Sequence, residues 1–240
     1  MAMKSTLEEI EKRFDQDVAR FSNLDTGQAT IVDAALQMDL ITDSIRQLYP
    51  NLQHILDIGC GAGNYDVKLL QGFQNVAHVD LVDLSQPMLD KAVERIQPLT
   101  QGKVQAHKGD FSSIDLPENQ YDVIIATAVL HHLRSDADWQ QAIQKLYKLL
   151  KPGGSIWVCD MIEQAHSGLQ NILFKQRYGK YLSGLKDDSY RDHVFAYIEK
   201  EDSPRSLNFQ MKCLEEAGFS TVDLLHKNLC FASYCGFKPE

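Results

Sequence analysis

The chain has 240 residues, 44% of them hydrophobic and 24% charged, with a formal net charge of −9. That length suits one α/β domain with an appended cap, and seven prolines with no low-complexity run speak against long disordered segments. The acidic balance disfavours a large nucleic-acid partner, which needs a basic face for phosphates, and no stretch approaches the ~18 apolar residues of a membrane span.

The N-terminus MAMKSTLEEIEKRFDQDVARF is charged throughout and lacks the apolar core of a secretory signal. Cys60, Cys159, Cys213, Cys230 and Cys235 are odd in number and form no CxxC pair, so neither a disulfide framework nor a zinc site is expected. A cytoplasmic location follows as the expectation. Leu7, Ile10, Phe14, Val18 and Phe21 recur at helical spacing and predict a helix over 5–22, with Ser5 and Glu8 as its capping box. A second helix is predicted over 29–48. Both precede any strand, so residues 1–50 read as a helical cap.

From residue 54 strands and helices alternate: strand 54–59, helix 64–72, strand 77–84, helix 86–96, strand 103–109 and a strand beginning at 121. Helix 136–150 ends at Lys151-Pro152-Gly153-Gly154, and strand 155–161 follows. This rhythm predicts βαβ units in a parallel sheet with helices on both faces, spanning a core domain of 51–161. Residues 162–203 break the rhythm with an aromatic and mixed-charge stretch that includes Phe174, Tyr178, Tyr181 and Tyr197. An insertion after a strand's C-terminal end lies over the ligand crevice of such a sheet, so it reads as a helical lid. Helix 205–217, Gly218 and two apolar runs, 219–226 and 228–237, complete the sheet in the last segment, 204–240. Only Lys227 and Asn228 separate these runs, which predicts an antiparallel hairpin.

Three motifs carry chemistry. Leu56-Asp57-Ile58-Gly59-Cys60-Gly61-Ala62-Gly63 is a glycine turn between a strand and a helix. Its glycines let a ligand approach the backbone. Asn64 stands where a dinucleotide fingerprint wants its last glycine, and Asp57 would repel a pyrophosphate but suits a ligand with a cationic end. Asp83 ends the second strand, before Leu84 and Met88, where a carboxylate can take both hydroxyls of a ribose; Asp80, three residues earlier, points to the other face. Asp110 and Phe111 follow the third strand, where they can receive and flank an adenine.

These motifs, the buried strand leading into LHHL, and LKPGG resemble, in order and spacing across 54–160, those of the class I S-adenosylmethionine (SAM) methyltransferases. The resemblance implies a doubly wound seven-stranded sheet of order 3-2-1-4-5-7-6 with its last strand antiparallel. It implies SAM as cofactor and S-adenosylhomocysteine as product. Asp57, Gly59, Cys60, Gly61 and Gly63 would hold the methionyl part, Asp83, with Leu84 and Met88 beyond it, the ribose, and Asp110 with Phe111 the adenine. Thr127 and Ala128 would offer backbone contacts. A narrower similarity, in Phe14-Asp15, Val18-Ala19 and Ala217-Gly218-Phe219, is to carboxy-SAM synthases of tRNA wobble-uridine modification. There an arginine in the helix before AGF holds the cofactor's carboxylate; Cys213 occupies that place here, beside Lys212.

His131 and His132 follow the fourth strand, where the substrate pocket of this family opens, and one of them is the candidate general base or acceptor-orienting group. No metal-ligand pattern such as HExxH is present, so no metal is expected. The reading is methyl transfer to a small-molecule acceptor entering between the cap and the lid. Carboxy-SAM or tRNA-directed chemistry and a non-catalytic SAM-binding protein are the rivals. Oligomeric state is left open, with a homodimer among the expectations.

Overall fold

A computed structural model describes residues 4–24, 26–73 and 75–240; residues 1–3 and 25 of the cap, and 74 of the core, lie outside the described residues. The sheet consists of β1 (His54–Ile58), β2 (His78–Asp83), β3 (Lys103–Lys108), β4 (Tyr121–Thr127), β5 (Leu150–Met161), β6 (Thr221–Asn228) and β7 (Phe231–Phe237). Its order is 3-2-1-4-5-7-6, with β1 to β5 parallel and β7 antiparallel to both β5 and β6. That is the doubly wound sheet expected from the sequence.

The central strands are apolar on both faces because helices cover both. Ile55, Val123, Ile125 and Trp157 enter one core cluster, while Leu56, Ile58, Ile124 and Ile156 enter the other, as the period of two demands. The cap comprises α1 (Leu7–Gln16), α2 (Val18–Phe21) and α3 (Ala34–Leu48); α4 (Asn64–Leu70), α5 (Gln86–Ile96) and α6 (Asp136–Leu149) fill the crossovers. The 162–203 stretch holds α7 (Ser167–Gln170), a π-helical turn (Asn171–Tyr178), α8 (Gly179–Leu185) and α9 (Asp188–Glu201), and α10 (Leu207–Ala217) precedes the closing hairpin.

Several boundaries differ from the sequence reading. The first helix breaks at Asp17, and its capping box is Thr6 with Glu9, one residue on from Ser5 and Glu8. The second helix begins at Ala34, after Asp33 in the left-handed region. β5 starts at Leu150 and carries Lys151–Gly154 within it, because Leu150 pairs with Tyr121 across a register shift before Ser155 meets Val123. The hairpin turns at Leu229 and Cys230, and Lys227 and Asn228 stay in β6. His226 and the Asn228 amide both reach Asp33 of the cap, at 2.9 and 2.8 Å, which holds that end of the edge strand extended.

Candidate active site

A cavity of about 1160 Å³, counting its open mouth, lies at the C-terminal ends of β1, β2, β4 and β5. This is where an open α/β sheet binds ligands. Its floor is the glycine turn: Gly59, Cys60 and Gly61 line it, as do Asp83, Leu84, Met88, Thr127 and Ala128. Gly61 has φ of 51° and no atom within 4 Å of where a Cβ would stand, so its missing side chain keeps the floor open. Its N–H donates to Asp83 Oδ2 at 2.8 Å, and Ser85 N–H donates to Oδ1 at 2.9 Å. Burial raises the Asp83 carboxyl's pKa despite these bonds. Asp80, by contrast, is engaged by Tyr121 Oη at 2.8 Å and by His107, away from the cavity.

Asp57, Gly63, Asp110 and Phe111 do not line the cavity. Asp57 lies behind the glycine turn, 1% exposed, and neither of its carboxylate oxygens has a hydrogen-bond partner. Asp66 of α4 is equally buried and equally unpartnered beside it. Burial, then the neighbouring Asp66 charge, pushes Asp57 well up, and burial lifts Asp66 to about 6. Asp110 caps its own turn, accepting from Ser112 N at 3.0 Å and Ser112 Oγ at 2.6 Å, and Phe111 packs in a core cluster. That end of the cavity is therefore shaped mainly by Asp83, Leu84, Met88 and the cap.

The cap is fastened onto the glycine turn. Ser85 Oγ donates to Asp15 Oδ1 at 2.6 Å, and the Asn64 amide donates to the Phe21 carbonyl at 2.8 Å. Phe14 and Phe21 consequently roof the cavity, while Tyr178 and Tyr197 wall it from the 162–203 stretch.

The far end is polar. His131 and His132 line it on a 3-10 turn after β4, joined by Asp202 from just beyond α9. Fully buried Asp160 of β5 accepts from Leu130 N at 2.7 Å and pairs through Oδ1 with His131 Nδ1. Asp202 Oδ1 stands 3.6 Å from His131 Nε2 and 3.3 Å from His132 Nδ1. Burial pulls the His131 pKa down, but the facing carboxylates of Asp160 and Asp202 outweigh it and push it up to about 9. Burial alone would raise Asp202; the two histidines and Arg13 hold it below the usual carboxylate range. Neither aspartate stood out in the sequence. The signal for Asp160 was a lone carboxylate inside the apolar run Ile156–Ile162; Asp202, 70 residues from His132, had none.

Cys213, on the inner face of α10, is buried in the core, and Lys212 pairs with Glu216 at the surface at 3.3 Å. Neither lines the cavity, so α10 offers no cation to a carboxylated cofactor.

Residues 55–154 match the family described as a methyltransferase domain. A demethylmenaquinone methyltransferase of Listeria welshimeri is 24% identical over 191 residues, covering 78% of this chain and 79% of its own. Among solved structures, a Burkholderia thailandensis 1,6-didemethyltoxoflavin-N1-methyltransferase with its substrate and S-adenosylhomocysteine superposes with TM-score 0.65 at 15% identity. It covers 100% of this chain and 93% of its own. A Nostoc punctiforme protein provisionally named an O-methyltransferase gives TM-score 0.63 at 18% identity over 94% of this chain, which spans only 60% of that longer one.

Proposed function

We propose that the chain is a class I SAM-dependent methyltransferase that methylates a small, flat acceptor held between the cap and the 162–203 stretch. One observation carries this reading. A glycine floor with a ribose-type carboxylate and a histidine–carboxylate cluster open onto the same cavity, one at each end. SAM supplies a methyl group already activated on a sulfonium.

The chain's own residues bind, align and exclude water. Gly61 leaves the floor free for a ligand, and Asp83 keeps lone pairs for the two ribose hydroxyls beyond the backbone bonds it accepts. The buried pair Asp57 and Asp66, one of them protonated, keeps a single negative charge behind the glycine turn, which favours a cationic amino-acid end. Phe14, Phe21, Tyr178 and Tyr197 favour a flat apolar acceptor body, and alignment of its nucleophile with the methyl carbon supplies much of the rate. His131, oriented by Asp160 and held protonated by the facing carboxylates, orients the acceptor's reacting group, and His132 beside it orients that group or takes its proton. The Listeria relative acts, by its name, on demethylmenaquinone, which supports a small-molecule acceptor rather than a macromolecule.

The test is mass spectrometry of small molecules released from freshly purified protein, with thermal-shift titration by SAM and S-adenosylhomocysteine. Both compounds are expected to stabilise the fold, and Asp83→Asn to weaken both by about 10–100-fold. Folded protein that neither carries nor responds to either compound would refute the reading.

A further inference from the structure

The far end of the cavity holds a grouping that methyl transfer alone does not require. His131, His132 and Asp202 each offer one ligand atom, and the three atoms lie within 4.8 Å of one another. Two spacings are 3.3 and 3.6 Å, both to Asp202 Oδ1. Ligand atoms each ~2.0–2.2 Å from one tetrahedral ion stand about 3.3–3.6 Å apart. We infer that His131 Nε2, His132 Nδ1 and Asp202 Oδ1 form a binding site for one divalent transition-metal ion, open toward the acceptor side of the cavity.

Two independent features support it. First, His132 Nδ1 and Asp202 Oδ1 are buried and have no hydrogen-bond partner, although they lie 3.3 Å apart. The Asp202 side chain is only 3% exposed, so water does not satisfy that oxygen freely. The two atoms meet as an ion pair without good hydrogen-bond geometry, which leaves lone pairs for a third party. Second, Asp160 engages Nδ1 of His131, which leaves Nε2 as the atom facing the cluster. A carboxylate behind a ligating imidazole is the arrangement that fixes tautomer and ring orientation in metal sites.

Two imidazoles and one carboxylate suit zinc, cobalt, nickel or iron rather than magnesium or calcium. Three protein ligands leave at least one position for a ligand from the cavity. The site thus selects acceptors that carry an oxygen able to bind a metal, a ring hydroxyl or carbonyl, next to the atom that is methylated. That acceptor half rests on the methyl-transfer reading; the ion site does not.

The experiment strips the full chain with chelator, dialyses it and titrates it with Co²⁺, followed by calorimetry and visible absorption. SAM binding to the same samples is measured as a folding control. The expected result is one Co²⁺ per chain with a low-symmetry visible band. Asp202→Asn and His132→Ala should each weaken it at least about 100-fold, and Asp160→Asn by about 10–100-fold, with SAM affinity kept. Should a variant lose SAM binding, His132→Gln and Asp202→Ser stand in for it. Absence of saturable Co²⁺ binding overturns the inference, as does binding that the ligand substitutions leave unchanged. Co²⁺ binding without SAM binding would leave the site standing and remove the methyltransferase reading instead.

Discussion

Asp57 and Asp66 place two carboxyl groups side by side in the interior with no partner for any of their four oxygens. Two ionised groups cannot both persist there, and burial holds the Asp66 pKa at about 6 against 3.8 for an ordinary aspartate. The folded state therefore keeps its proton to higher pH than the unfolded state. Between about pH 4 and 6 the unfolded chain binds fewer protons, so the Asp66 contribution to stability falls as pH rises, and Asp57, pushed well up, continues the fall above that range. Asp66→Asn removes this slope: its unfolding free energy should match or exceed that of the native chain at pH 7 and lose the advantage near pH 4. The expected difference is on the order of 2–3 kcal/mol, read from urea unfolding at each pH. Identical pH profiles for the two proteins would show that the pair is not protonated in the fold.

At the scale of elements, the joint between the glycine turn and α5 is tight. Gly63 has φ of 73°, and a Cβ there would stand 2.7 Å from Ile96 Cδ1 and 3.2 Å from Ala92 Cβ. Gly63→Ala should destabilise the protein by on the order of 2 kcal/mol, part backbone strain and part overpacking, measured as a lower urea midpoint at unchanged slope. An Ala variant as stable as the native chain would mean that α5 yields easily. The existence and order of these elements were legible because periodicity is local. Their ends were less so. Asn228 carries a turn residue's signal, yet Asp33, far away in sequence, keeps it in β6. Lys151–Gly154 carry a strong helix stop, yet pairing of Leu150 with Tyr121 starts the strand at once.

Across the whole molecule, the cap and the 162–203 stretch meet through one partly buried ion pair. Arg13 of α1 donates through Nε to both carboxylate oxygens of Glu201 at 3.0 and 2.9 Å, and Glu201 is 5% exposed. The Arg134 guanidinium ties the same region to the Ser5 carbonyl at 3.1 Å. Glu201→Gln should cost about 1–3 kcal/mol. It should also speed hydrogen exchange in α1 and α9 while leaving β1 and β4 protected. Unchanged exchange in both helices would show that the other contacts between the segments, among them Tyr178 Oη to the Thr30 carbonyl and Tyr181 Oη to the Ala29 carbonyl, suffice to join them. No helix among the described residues is long and apolar enough to cross a membrane.

By itself the sequence determined the alternation of strands and helices, the closing hairpin and the glycine turn, while the strand order came with the family resemblance. Those depend on short-range patterns: an alternating strand, a run of glycines whose φ is forced, a carboxylate at a strand tip. Asp83, Gly61, Thr127 and Ala128 reach the cavity for that reason. Asp110 and Phe111 have the right position in the chain, yet the loop folds back on itself and its side chains bond and pack locally. Only the tertiary structure decided the far end of the site. Asp160 comes from β5, Asp202 from beyond α9, and the two histidines from the turn after β4. No spacing in one dimension encodes that meeting, because it depends on how α9 is tied down against the cap and how β5 lies beside β4.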